Sequence, residues 1–74
     1  MNYKAKLNKE ETGLRIYYAI SNSSFTYEDI AEFLELKSPR VIYEWTKGVK
    51  MPSLENLINL TQLLHVQVED ILVI

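Results

Sequence analysis

A chain of 74 residues with a formal net charge of −2 and no cysteine makes one domain, near the lower size at which a core holds without disulfide or metal staples. Thiolate metal sites are excluded with the disulfides, and 47 % apolar residues against two glycines and two prolines suit a helical core better than a loop-rich or disordered chain. No apolar run approaches the ~20 residues of a membrane span and no signal-peptide pattern opens the sequence, so a cytoplasmic domain with no membrane partner is expected.

Charge is segregated along the chain. Residues 1–9 carry +3 from Lys4, Lys6 and Lys9. Without periodicity, residues 1–10 read as a loose arm and 11–74 as the folded domain. Residues 10–36 carry −5, with Arg15 alone against Glu10, Glu11, Glu28, Asp29, Glu32 and Glu35. Helix 1 is expected over residues 11–21, where Leu14, Tyr17, Tyr18 and Ser21, and also Ile16 and Ile20, fall at helical spacings. Gly13 weakens its first turn, and the run from Ser21 to Ser24 ends it.

Thr26 then caps a second helix that runs to about Leu34, with Asp29 three residues on to complete a capping box. Its apolar side is Ile30, Ala31, Phe33 and Leu34, and small Ala31 lets another helix cross closely. Ser38-Pro39 is a second start signal: Ser caps, and Pro at the first helical position loses only an orphan N–H. Helix 3 is expected over residues 39–47, with Gly48 as the left-handed stop. Ile42 and Trp45 face inward with Val41, leaving Arg40, Tyr43, Glu44 and Lys47 outward. Residues 37–50 return to +3, from Lys37, Arg40, Lys47 and Lys50 against Glu44.

Ser53 caps helix 4, whose expected buried stripe is Leu54, Leu57, Ile58, Thr61 and Leu64. His65 closes it, where a cation suits the helix dipole. Val66 and Val68 lead into a short helix 5 with Ile71 and Leu72 inward. Residues 51–74 carry −3.

Taken together, Thr26-Tyr27-Glu28-Asp29-Ile30-Ala31, Ile42-Tyr43-Glu44-Trp45-Thr46-Lys47-Gly48, Pro52-Ser53-Leu54-Glu55-Asn56-Leu57 and residues 64–72 resemble the Cro/CI-type helix-turn-helix family, the XRE family of lambda-repressor-like domains. The first segment looks like that family's Thr-Gln-x-x-Leu-Ala and the second like its Ile-Ser-x-Trp-Glu-x-Gly. The run from Ser38 to Trp45 is similar to a branch of small regulators from low-GC Gram-positive bacteria and their mobile elements. Each piece is weak alone; order and spacing make the match specific. The resemblance implies an all-α, compact five-helix domain with the helix-turn-helix at helices 2 and 3.

Departures from the pattern are informative. The turn carries one residue more than the common spacing, and Glu35 sits where a turn Gly is usual. Tyr27 replaces the Gln that often touches a phosphate. The helix 1 Arg and helix 3 Glu that often pair in this family appear as Ile20 and Thr46, lost together so that no buried charge is stranded.

The resemblance further implies a function: a sequence-specific transcriptional regulator, a repressor binding double-stranded DNA as a homodimer, with helix 3 in the major groove. Ser38, Pro39, Arg40, Tyr43 and Glu44 take the base-reading positions. Tyr27, Lys37, Lys47 and Lys50 take phosphates. Arg40 suits guanine O6 and N7 in a bidentate fork. The apolar end Ile71-Leu72-Val73-Ile74 either packs back on helix 1 or forms a homodimer seam through Ile71, Val73 and Ile74.

Plainer readings stand beside these. Without the family, Arg40 would be a surface residue paired with Glu44. Trp45 reads as core, and the acidic side of helix 2 as a solvated face rather than an acid–base pair or metal site. Tyr3, Tyr17 and Tyr18 fit core or surface, and the arm fits disorder or the minor groove. The net negative charge and apolar tail also suit a rival function, a protein-interaction module that keeps the fold. No nucleophile–base set, phosphate loop or metal spacing points to an enzyme or a cofactor.

Overall fold

A computed structural model describes residues 4–74 of the chain; Tyr3 lies outside them. Five helices follow one another: α1 (Lys9–Ser21), α2 (Tyr27–Phe33), α3 (Arg40–Thr46), α4 (Leu54–Leu64) and α5 (Val68–Ile71). Among the described residues there is no strand. The all-α expectation therefore holds, element for element.

Helix α1 starts two residues earlier than expected, because Asn8 is its cap: the side-chain carbonyl accepts the Glu11 N–H at 3.0 Å. Glu10 and Glu11 then sit in the first turn, where carboxylates favour the positive end of the helix dipole. The inward face also differs. Thr12, Gly13, Ile16 and Ile20 are buried, whereas Leu14, Tyr17 and Tyr18 are 41, 45 and 55 % exposed. Two apolar faces compete at helical spacing, and Gly13 decides between them. A Cβ built on it would stand 2.5 Å from the Trp45 carbonyl oxygen, 2.8 Å from that of Thr46 and 2.9 Å from the Gly48 nitrogen. Only a bare backbone lets α1 cross the end of α3 there. Gly48 answers from the other side, since its own Cβ would meet the Lys9 carbonyl oxygen at 2.8 Å.

The core comprises Ile16, Ile20, Ile30, Ala31, Ile42, Trp45, Leu57, Leu60 and Ile71. Full burial of each large apolar side chain contributes about 1.5–3 kcal/mol. Trp45 is core, as its position beside Ile42 implies. On α4 the buried set is Leu57, Leu60 and Thr61, not Leu54 and Ile58, which point to solvent. Phe33 of α2 and Leu72 also stand outward.

Three helices end alike. In α2 the Leu36 N–H bonds the Ala31 carbonyl and the Glu35 N–H that of Glu32; in α3 Val49 bonds Glu44 and Gly48 bonds Trp45; in α4 Val66 bonds Thr61 and His65 bonds Gln62. Each is a Schellman closure, which needs a left-handed residue. Glu35, Gly48 and His65 supply it at φ 58, 74 and 57°.

The segment after α5 folds back on α1. The Val73 N–H donates to Thr12 Oγ1 at 3.0 Å, the Asn8 N–H donates to the Val73 carbonyl at 2.7 Å, and Thr12 is fully buried. Ile71 is 2 % exposed. It therefore belongs to the chain's own core, which corrects its placement in a homodimer seam: a side chain already covered within the protomer has no surface to offer a partner.

The glycine crossing yields a test in which helix propensity and packing predict opposite signs. Gly13→Ala should gain about 1 kcal/mol from propensity. The clash with three backbone atoms should outweigh it, leaving the variant less stable by about 2 kcal/mol or more, within or above the overpacking range. Urea denaturation followed by circular dichroism decides between them.

Candidate nucleic-acid interface

The candidate interface is assembled from short, heavily capped pieces. Helix α2 opens with the expected capping box: Thr26 Oγ1 accepts the Asp29 N–H and Asp29 Oδ2 accepts the Thr26 N–H, both at 3.0 Å. The Glu35 closure then turns the chain. A non-glycine residue in the left-handed region costs about 1–2 kcal/mol, and the six residues between Phe33 and Arg40 hold that turn open. Ser38 Oγ accepts the Arg40 N–H at 3.2 Å. Pro39 already has helical backbone angles, φ −64° and ψ −15°, and its carbonyl accepts from Ile42 and Tyr43. Seven residues of α3 would be marginal as an isolated helix. Buried Ile42 and Trp45 hold it in place.

That anchoring turns Arg40, Tyr43 and Lys47 outward, all three exposed, with Ser38 and Lys37 exposed just before them and Pro39 half-buried. Glu44 is half-buried and faces Lys50, the Nζ–Oε1 separation being 4.0 Å. Among the described residues this is the one ion pair, so Arg40 and Lys47 keep their charge unpaired while Lys50 and Glu44 offset each other. The alternative Arg40–Glu44 pair does not form.

Tyr27 is placed differently from the expectation of a phenol reaching for phosphate. Its ring lies against that of Tyr43, centroids 4.3 Å apart and planes inclined by 40°, and it packs on the core. Burial pushes its hydroxyl above the ordinary phenol value. The neighbouring Thr46 hydroxyl opposes the rise, and the Tyr43 and Tyr17 phenols add to it. Thr46 itself donates to the Tyr43 carbonyl at 2.8 Å. Sequence reasoning missed this Tyr27–Tyr43 unit. A signal existed: the family's Gln and Ser are both replaced by Tyr in this chain, one on each helix of the motif.

The Ile20–Thr46 exchange is structurally sound. Ile20 is buried in the core, and no buried side-chain polar atom of the described residues lacks a hydrogen-bond partner.

A helix-turn-helix family model matches residues 22–71, the greater part of the chain and the whole of α2, α3, α4 and α5. The chain belongs to the Cro/CI-type, or XRE, helix-turn-helix family. Members of this family are DNA-binding transcription regulators, not enzymes. No curated protein and no solved structure matches the chain, so its membership rests on the family match and on the five-helix geometry. No helix among the described residues is long and apolar enough to cross a membrane.

The raised Tyr27 hydroxyl gives a pH test with a definite sign. Because the folded-state value lies above 10.0, Tyr27 leaves stability untouched below that pH. Stability falls as pH rises from there through the folded value, since folding then holds a proton that the unfolded chain has released. Thermal melts should show Tyr27→Phe losing less stability than the parent above that pH, with parallel behaviour at neutral pH.

Proposed function

We propose that this XRE-family protein is a sequence-specific repressor that reads a two-fold-symmetric operator as a homodimer, with α3 in the major groove. The observation that carries the reading is the outer face of α3. It combines exposed, unpaired cations with a rigid aromatic, directly after a turn whose family reads DNA. Arg40, at the start of the helix, forks onto guanine O6 and N7. Tyr43 lies on a thymine methyl, and Ser38 and Pro39 meet the adjoining base edges. Glu44 accepts from a cytosine amino group once Lys50 turns from it to a phosphate. Lys37 and Lys47 hold the backbone and set the register. Tyr27 acts from behind, as the platform on which Tyr43 rests, with the α2 amides beside it facing a phosphate.

Few cations per protomer make one copy a weak binder, and a second copy doubles the contacts. The surface that suits a second copy is the groove lined by Ala5, Lys6, Leu7, Val68, Glu69, Leu72 and Ile74. Ile74 is 82 % exposed. A two-fold contact must be complementary to itself, and a patch holding both Lys6 and Glu69 around an apolar centre is. The two reading helices would then enter successive major grooves about 34 Å apart. Occupancy alone excludes other proteins from such a site, which makes repression the direct outcome.

Selection from a random DNA library, read by sequencing, tests this. The parent should enrich an inverted repeat. Arg40→Ala should lose preference at one base pair per half-site, a discrimination of about 1–3 kcal/mol. Lys47→Ala should keep the motif and weaken binding uniformly, with a salt slope reduced by about 1 per protomer. Enrichment of one motif by parent and Arg40→Ala alike removes Arg40 from base reading.

A further inference from the structure

A second surface stands apart from the DNA face. Phe25, just before α2, and Phe33, at its end, are 37 and 54 % exposed. With Leu63 of α4 they line an open groove of about 480 Å³ whose remaining walls are Asp29 and Glu32. No cation lines it. Exposed Glu28 lies on the same helix, and none of these carboxylates is in an ion pair among the described residues. The groove shares no side chain with the residues proposed to read DNA.

Two aromatic side chains left partly in water at one hollow give a partner an apolar foothold. Here the rim says what kind of partner fits. Carboxylates beside an apolar floor disfavour a phosphate inside the groove and favour lysine or arginine. A cationic segment bearing an apolar anchor satisfies both parts: the anchor lies between Phe25, Phe33 and Leu63, and the flanking cations meet Asp29 and Glu32. Such pairs steer encounter and reject acidic competitors, while the buried anchor holds the complex.

We propose that this groove docks a basic, amphipathic segment of a partner protein. The same protomer can then hold DNA through α3 and a protein through the outer side of α2.

Panning a random short-peptide display library on the purified protein tests the proposal, with Phe33→Ser and Glu32→Lys as counter-targets. Both positions are exposed, so both variants should keep the parent's circular dichroism and melting temperature. Enriched peptides should combine Lys or Arg with Leu or Phe, and lose about tenfold or more in affinity for either variant. Labelled-protein NMR with such a peptide should move the Phe25, Glu32, Phe33 and Leu63 amides in a saturable way. Failure to enrich any peptide, enrichment of acidic peptides, or equal binding to both variants overturns it. So does binding by a second copy of this chain in place of the peptide, seen as self-association that Phe33→Ser abolishes.

Discussion

The close crossing of α1 over the end of α3 is the constraint from which the rest follows. Gly13 on one helix and Gly48 at the end of the other let two backbones approach where a Cβ on either would stand within 3.0 Å of a main-chain atom. Backbone cannot swing aside as a side chain can, so this contact is held at one distance. It brings Ile16 and Ile20 onto Ile42 and Trp45, and it turns α3 so that Arg40, Tyr43 and Lys47 look away from the core. A seven-residue helix has too few internal bonds to hold its own direction. The crossing supplies that direction.

Polar chemistry around this contact is closed with equal care. Three Schellman closures, the α2 capping box and the Asn8 and Ser53 caps close helix ends, and Thr12, fully buried, ties the segment after α5 to α1. One consequence concerns the outer face of α3. With Ile20 buried and Thr46 half-buried, that part of the core holds no buried ion pair, whose desolvation often offsets its attraction. The Thr46 hydroxyl instead donates to the Tyr43 carbonyl, near the Tyr27 ring tilted against that of Tyr43. The Tyr27–Tyr43 ring contact joins α2 to α3 at this point.

Much of this was legible in the residues. Ser/Thr caps, Ser38-Pro39 and Gly48 each act within a few residues of chain, and the five helices they delimit are all present. Ends moved by only one or two positions: Asn8 at α1, Pro39 at α3. Faces were harder to read where two apolar stripes run along one helix. Leu14, Tyr17 and Tyr18 lost to Ile16 and Ile20, and Leu54 and Ile58 lost to Leu57 and Leu60, because the choice is made by the neighbouring helix and not by local spacing. Gly13 looked like a weak point in a helix for the same reason; its use is visible only once Trp45 stands over it. On α3, the exposure of Arg40, Tyr43 and Lys47 followed from the inward Ile42 and Trp45. The pairings Tyr27–Tyr43 and Glu44–Lys50 join residues whose meeting depends on how the elements fold together, and spacing along the chain carries no record of that.

The most direct test is amide hydrogen exchange of the protein, free and bound to its selected DNA. DNA seated on an α3 held in place by the α1 crossing should shield that helix's amides from exchange. The expected result is slowed exchange across residues 38–47 and at the first amides of α2, with α4 unchanged. Slowing confined to α4 and α5, with α3 as labile as before, would contradict the account and put DNA on another face.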